Sequence, residues 1–475
     1  MKKLSILIVL PFLLTVSCRK NITDLNVDPK KPSIVPSTAL FTNAQRVLVN
    51  TTTSSNVNLN IFRLITQYWT ETTYTDESNY DLNTRSIPRG VWNALYRDVL
   101  KDFEQAKTLY TSDILDAKIQ ANDLAMTEIM EVYTWYYLVT TYGNIPYSQA
   151  LNSDNPFPVY DDASTIYNDL LSRLDAAIGK LNPAAAGLGN ADIIYGGDIG
   201  AWKKFANSIK LKLGITIADA DAAKAKTIVE SAVTAGVLSS NDDNALYSYS
   251  SNPPNTNPIW VDLVQSGRKD FVTTTTFVSK LTSLSDPRIS LYLTKDANGS
   301  YSGGKPGASN NYATFSKPSE ALTAATFPGD ILDYSEVEFL LAEAAERGFN
   351  VGGTAATHYN NAITASITYW GGTAGDATAY LAQPAVSYVT ATGTYKQKIG
   401  TQKWIALYNR GWDAWIEWRR LDYPVLPAPD APITATPVRY TYSVDEQNLN
   451  ITNYNAAATA IGGDKVTTKL WFDKF

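Results

Sequence analysis

Residues 335–349 read SEVEFLLAEAAERGF and residues 354–371 read TAATHYNNAITASITYWG. In the first stretch Ser335 and Glu338 have the spacing of a capping box, and Val337, Leu340, Leu341 and Ala344 fall on one helical stripe. Glu343 can pair with Arg347 one turn on, and Gly348 supplies a stop. The carboxylates of Glu336, Glu338, Glu343 and Glu346 are expected on the solvent side of that stripe. In the second stretch Thr354 is the expected N-cap, Tyr359, Ile363, Ile367 and Trp370 share a face, and Gly371 ends the helix. The Gly-rich turn of residues 349–353 is short enough that the two helices should fold back as an antiparallel hairpin. The pair looks like one tetratricopeptide-type unit.

Working outward, the same periodicity predicts helices at about 88–111, 118–142, 162–181, 199–218, 221–235 and 396–422. A further helix should end near Glu71. Tyr133, Trp135, Tyr136, Tyr137 and Tyr142 lie almost all round the 118–142 helix, and a helix apolar on every side is buried between neighbours. In residues 142–151, YGNIPYSQAL, Gly143 and Asn144 can end that helix and Pro146 prevents its resumption. Trp412, Trp415, Trp418 and Leu421 recur every third residue and read as core. Arg419 and Arg420 should bind acidic or backbone groups of neighbouring helices. Between about residues 241 and 330 the stripes give way to SYSSNPPNTNP and DANGSYSGGKPGASNN, which mark long loops of the kind that carry function. The tail after Tyr423 is similarly rich in Pro and Asn. No strict 34-residue repeat is present.

The N-terminus has Lys2 and Lys3, an apolar run from Leu4 to Val16, then Ser17 and Cys18. A charged start and a short apolar run are the parts of an export leader, too short to span ~30 Å of hydrocarbon. Cys18, the only cysteine, stands where a bacterial lipoprotein signal is cut and acylated. Leu14 lies four residues before it, with Thr15 at the usual leucine position. No disulfide can form within the mature chain. The expected organisation is a signal peptide at 1–17, an extended lipid tether at 18–36 and one domain at 37–475. Within that domain the helical scaffold should cover about 37–240 and 330–425, with the irregular insertion at 241–330 and a loop-rich tail at 426–475.

The formal charge is −6, and the leader removes two lysines from the basic side. With no Lys/Arg cluster, nucleic acid is not an expected partner. The single histidine, His358, falls among Thr and Asn and is expected at the solvated surface, so neither a zinc site nor a Ser/His/Asp triad has support. No GxGxxG or P-loop pattern appears, and no cofactor or metal is expected. Asp242, Asp243 and Asp296 lack calcium-loop spacing and read as turn residues.

Several strings together carry a resemblance: DLNVDPKKPSIVPSTALFTNAQ (24–45), YGNIPYSQAL, WKKFANSIKLKLG (202–214), DPRISLYL (286–293), SEVEFLLAEAAERGF with ITYWGG, GWDAWIEWRRLDYPVL (411–426), VRYTYSVDEQNLNITNYN (438–455) and TTKLWFDKF (467–475). From residue 18 to the C-terminus the chain resembles the SusD/RagB family of Bacteroidetes outer-membrane lipoproteins, in its SusD-like branch with the EWRR segment. The resemblance implies an all-α fold of four tetratricopeptide-like hairpins in a right-handed scaffold, with an irregular ligand-facing region. It also implies a lipid-anchored, surface-exposed binder of oligosaccharide or peptide that serves as a hinged lid on a SusC-like TonB-dependent transporter, and not an enzyme.

With 29 Tyr and 11 Trp, the chain is rich in rings that suit sugar faces, since a ring covers C–H groups while its polar edge hydrogen-bonds. Loop aromatics are better candidates than helix aromatics. Two segments qualify: TTYTDESNYDLNTRSIP (72–88), with Tyr74, Tyr80 and Arg85, and the insertion, with Trp260, Tyr292, Tyr301 and Tyr312. Two other classes stay open. One is a tetratricopeptide-type scaffold that binds only proteins. The other is a hydrolase, which requires two carboxylates facing each other across a cleft.

Overall fold

Helix Tyr334–Glu346 and helix Ala355–Tyr369 pack on each other across a tight turn. The structure is a computed structural model and describes residues 35–475; the leader, Cys18 and nearly all of the tether lie outside the described residues. The first helix of the pair starts two residues earlier than the Ser335 capping box predicts. Asp333 is the N-cap and accepts from the Glu336 N–H at 2.6 Å. Ser335 instead faces the partner helix and donates to the Ala362 carbonyl at 2.8 Å. The stop is as expected: Gly348 has φ +74°, and the Phe349 N–H reaches back to the Ala344 carbonyl at 2.9 Å. Thr354 caps the second helix by accepting from the Thr357 N–H at 3.1 Å.

The same motif recurs along the chain. Ala117–Tyr142 packs on Ala163–Lys180, and Ile199–Thr216 packs on Ala222–Ala235. Ser37–Thr53 packs on Lys101–Asp113, which continues a helix running from Ile87 through a π-helical stretch at Ala94–Leu100. The fold is therefore helix-dominated, built of stacked hairpins whose interfaces are continuous. Helix Ala117–Tyr142 is the axis of this stack: from Asn122 onward nearly every side chain is buried, whichever way it points. Gly143, at φ +88°, ends it. The predicted 396–422 helix is two helices, Tyr395–Ala406 and Gly411–Leu421, because the chain turns through Leu407–Asn409 and Arg410 takes a non-helical conformation. The insertion contains helix Thr275–Ser283, and the tail contains Val444–Leu449 and Ile451–Ala460. Among the described residues no helix is long and apolar enough to cross a membrane.

The largest departure from the sequence reading concerns charge. Glu336, Glu338 and Glu343 are buried, and of the four carboxylates only Glu346 is exposed. Their helix is enclosed by Ile199–Thr216, Ala355–Tyr369 and Tyr395–Ala406, so it has no broad solvent face. Glu336 lies 3.0 Å from Lys212 Nζ and 2.7 Å from Arg410 Nη2, and Arg410 is also 3.1 Å from Asp413. Lys212 contacts Asp413 as well. Glu343 takes both guanidinium nitrogens of Arg420 at 2.5 Å, and Glu417 bridges Arg420 and Lys403 at 2.7 Å each. Arg419 donates to the carbonyls of Thr140 and Val438, so both arginines of the EWRR segment behave as expected. Glu336, Glu343 and Glu417 each face cations, and Arg419 is satisfied by carbonyls, the conditions under which burial of charge is tolerated. His358 is likewise not at the surface: it is buried with Nδ1 2.7 Å from Glu338 Oε2.

Candidate functional site

After the short helix Phe62–Ile65 the chain does not remain helical to Glu71. Residues Trp69–Glu71 form a strand that pairs antiparallel with Phe271–Thr273, with Trp69 opposite Thr273. The insertion then returns to this strand pair. Thr273 N–H donates to Ser316 O at 3.0 Å, and Gly304 N–H donates to Thr273 O at 2.9 Å. That approach requires Gly303, because a Cβ there would overlap the Thr274 backbone. Asn79 joins the remaining loops: its Nδ2 donates to Gly307 O at 2.7 Å, its Oδ1 accepts from Ala431 N at 2.9 Å, and its carbonyl accepts from Ile433 N at 2.8 Å. Four segments far apart in sequence, 67–86, 266–276, 300–317 and 427–434, are thereby knitted into one surface.

Within the first of these, Tyr74, Tyr80 and Ser86 all have positive φ, at 54°, 70° and 51°. Left-handed backbone at non-glycine residues costs of order 1 kcal/mol each and persists where the surroundings dictate it, most often at binding loops. What holds this loop is a buried pair of carboxyls. Glu71 accepts from the Ser78 N–H and hydroxyl at 2.9 and 3.0 Å. Burial, and then the neighbouring Glu77 charge, push the Glu71 carboxyl up to about 8. Arg85 donates its Nε–H to Glu77.

The predicted site residues divide accordingly. Tyr74 is 80% exposed. Tyr312 is half-buried, with the ammonium groups of Lys317 and Lys269 5.0 and 5.9 Å from its ring centroid. Thr72 joins the segments that carry these two tyrosines: its N–H and hydroxyl donate to Asp270 O and Lys269 O, and its carbonyl accepts from Asn310 N at 3.0 Å. Arg85 is exposed and is bonded to Glu77. Tyr80 and Tyr292 are corrections. Tyr80 is buried beneath the loop, its hydroxyl accepting from Gln67 at 3.3 Å. Tyr292 is fully buried and stacks on Tyr408 at 4.6 Å, with Trp370 edge-on at 4.6 Å. Both lie in loop-like sequence, yet Tyr80 is covered by its own loop and Gln67, and Tyr292 by rings brought from distant parts of the chain. Tyr301 is half-buried against the core, and Trp260, also half-buried, ends the short helix Pro258–Trp260. Lys269 and Lys317 beside the Tyr312 ring, and Asn79 at the loop junction, are residues that a search for aromatics alone passes over.

Two concavities flank the π-helical stretch at Ala94–Leu100. One, of about 640 Å³, lies between helix Ser37–Thr53 and the insertion and is lined in part by Asn50, Asn93, Pro258, Asp98 and Asp262. Its two carboxylates are both engaged: Arg97 holds Asp98 at 2.6 and 2.8 Å, and Asp262 accepts from Ser55 at 2.9 Å. Burial raises the Asp262 carboxyl. The other, of about 370 Å³, has Trp92, Tyr96, Lys101, Pro156 and Glu446 in its wall. Among the described residues no cluster of His, Cys, Asp and Glu could hold a metal ion.

The chain matches, over residues 29–443, the profile of the family described as SusD-like_2, starch-binding associating with outer membrane. Solved structures resemble it over nearly its whole described length. A chitin-binding protein is 27% identical, with a TM-score of 0.81 over 92% of this chain and 100% of that one. A SusD homolog from Bacteroides ovatus is 26% identical, with a TM-score of 0.79 over 92% and 99%. A chitin-binding SusD homolog from Flavobacterium johnsoniae, 24% identical with a TM-score of 0.78 over 92% and 98%, shares the fold. No curated protein matches the sequence.

Proposed function

The chain belongs to the SusD-like family of starch-binding, outer-membrane-associated proteins, and on that premise we propose that it captures an oligosaccharide on its loop surface for uptake. The observation that carries this reading is the junction at Thr72, which bonds to Asn310 and Asp270, with exposed Tyr74 two residues from Thr72 and the lysine-flanked Tyr312 two residues from Asn310. Such rings cover sugar C–H faces, and the ammonium and amide groups around them supply hydrogen bonds to hydroxyls. The finer reading is that residues 1–17 are a signal peptide, Cys18 is acylated, residues 18–36 are a tether, and the domain of residues 37–475 closes on a SusC-like TonB-dependent transporter. Binding and release alone would move the ligand, with no covalent step. A peptide ligand fits the same surface less well, because nothing there offers the edge of a long unpaired strand.

The first test is titration calorimetry with maltoheptaose and chitohexaose. Tyr74→Ala and Tyr312→Ala are each expected to weaken binding of the better ligand by about 5–30-fold, the loss of ~1–2 kcal/mol of ring contact. Undiminished affinity in both variants moves the site elsewhere, first to the 640 Å³ cavity. Release of reducing ends, abolished by Asp262→Asn, would make that cavity hydrolytic instead.

The second test is recovery of partners from detergent-solubilised outer membranes with a tagged chain. With Cys18 intact, a large TonB-dependent barrel should co-purify. With Cys18→Ala the protein should leave the membrane fraction, since one lipid anchor is the only attachment proposed. A chain recovered alone, under conditions that preserve other membrane complexes, favours the protein-interaction scaffold.

A further inference from the structure

A cavity of about 410 Å³ lies between helix Tyr395–Ala406, helix Thr275–Ser283 and the segment around Tyr423–Pro424, and shares no lining residue with the Tyr74–Tyr312 surface. Its size is within the ~300–1,000 Å³ of small-ligand sites. None of the residues lining it is Asp or Glu, although the chain as a whole carries −6. Two lysines line it, Lys280 and Lys398, both half-buried. Among the described residues neither ammonium has a carboxylate partner, whereas Lys107, Lys204, Lys212, Lys305, Lys396 and Lys403 each face one. Lys398 Nζ is held in place by a bond to Tyr388 O at 2.8 Å, which leaves two of its three N–H donors available.

The surroundings reinforce the positive charge. Helix Tyr395–Ala406 begins at the rim, with Gly393 and Gln397 in the lining, so its N-terminal partial positive charge faces the same space. Gln397 uses its oxygen to accept from Thr394 N at 2.8 Å, and its amide N–H groups are left for another acceptor. Tyr423, Pro424 and Val425, the last 78% exposed, form an apolar wall. Two partly desolvated cations without a counter-charge, beside a small apolar face, are complementary to an anion carried on a compact ring.

We infer that this cavity is a second binding site, selective for an acidic saccharide unit bearing a carboxylate or sulfate ester. The anion sits between Lys280 and Lys398, and the C–H face of the ring lies on Pro424 and Val425. The inference rests on the glycan-capture reading of this chain and adds a charge requirement to it: the acidic unit of a mixed polymer would bind here while neutral units occupy the tyrosine surface.

The test is calorimetry of the full chain with trigalacturonate, a disulfated chondroitin disaccharide and maltotriose, at 50 and 300 mM NaCl. At least one acidic probe is expected to bind, with affinity falling severalfold at the higher salt. Lys280→Gln and Lys398→Gln should each lower it by about 5–10-fold with an unchanged Tm, while Tyr74→Ala leaves it unaltered. Preference for trigalacturonate identifies the carboxylate form, and preference for the disaccharide identifies the sulfate form. The inference is overturned if neither acidic probe binds, or if binding survives the folded double lysine variant. It is equally overturned if Tyr74→Ala abolishes acidic binding, which would assign the anion to the tyrosine surface. Acidic binding without any neutral-glycan binding would sustain this site while removing the proposed role of Tyr74 and Tyr312.

Discussion

Replacing Glu336 by alanine is expected to lower the unfolding free energy by about 3–5 kcal/mol, a large share of the ~5–15 kcal/mol that holds a typical domain together. Glu336 is buried where Lys212, Arg410 and, at 4.0 Å, Lys403 converge from three other segments. Neither of its oxygens makes a well-aligned hydrogen bond, so its contribution is charge balance. Without it, Lys212, Arg410 and Lys403 are left mainly to Asp413 and Glu417, because burial raises the Asp330 and Asp333 carboxyls and weakens them as counter-charges, and repulsion among the cations is no longer fully offset. Urea unfolding at pH 7 measures the loss. A drop below about 1 kcal/mol would mean that water enters and screens the cluster. The paired variant Lys212→Met with Glu336→Met should cost much less than the sum of the two single changes, because the desolvation of both ions is removed together.

The same cluster sets an acid limit. Burial alone would raise the Glu336 carboxyl, but Lys212, Arg410 and Lys403 override it and hold it at about 2. A folded-state value below the unfolded one stabilises above the unfolded pKa, near 4.5, and that stabilisation is lost as pH falls from about 4.5 towards 2. The wild type should therefore lose stability steeply across that window, and Glu336→Ala should show a shallower acid slope.

Replacing Glu71 by glutamine is expected to have the opposite sign and to act in alkaline solution. Burial and then Glu77 raise the Glu71 carboxyl from 4.5 to about 8, so the folded chain keeps a proton that the unfolded chain releases. Stability is then full below about 4.5 and declines as pH rises towards 8. At ~1.4 kcal/mol per unit the loss is on the order of 5 kcal/mol by pH 9. Glutamine retains an oxygen for Ser78 and presents N–H donors to Glu77, without the charge. Its urea midpoint should match the wild type near pH 4.5 and exceed it increasingly up to pH 9. Parallel curves would show that Glu71 ionises freely in the folded state. Because Glu71 and Ser78 close the loop that carries Tyr74, glycan affinity in the wild type should also weaken above pH 8, and that decline should be absent in Glu71→Gln.

Where the helices lie was legible in residues 335–371 because helix formation is local. The stripe, the Thr354 cap, the Gly348 stop and the Glu343–Arg347 pair at 2.8 Å all involve residues within about four positions of each other. The family was legible in short strings spread along the chain, and the leader and Cys18 were read from a contiguous segment that lies outside the described residues. The sequence by itself therefore determined the fold class, the family and the general region of the loops. Tertiary structure alone decided which loop aromatics stay accessible, since Tyr80 is covered by its own loop and Gln67, and Tyr292 by Tyr408 and Trp370. It also decided that Glu336 and Glu343 are internal ions, and that residues 69–71 form a strand whose partner lies about 200 positions away. Side-chain burial and charge pairing depend on neighbours brought together by packing, and no periodicity within a single element carries that information.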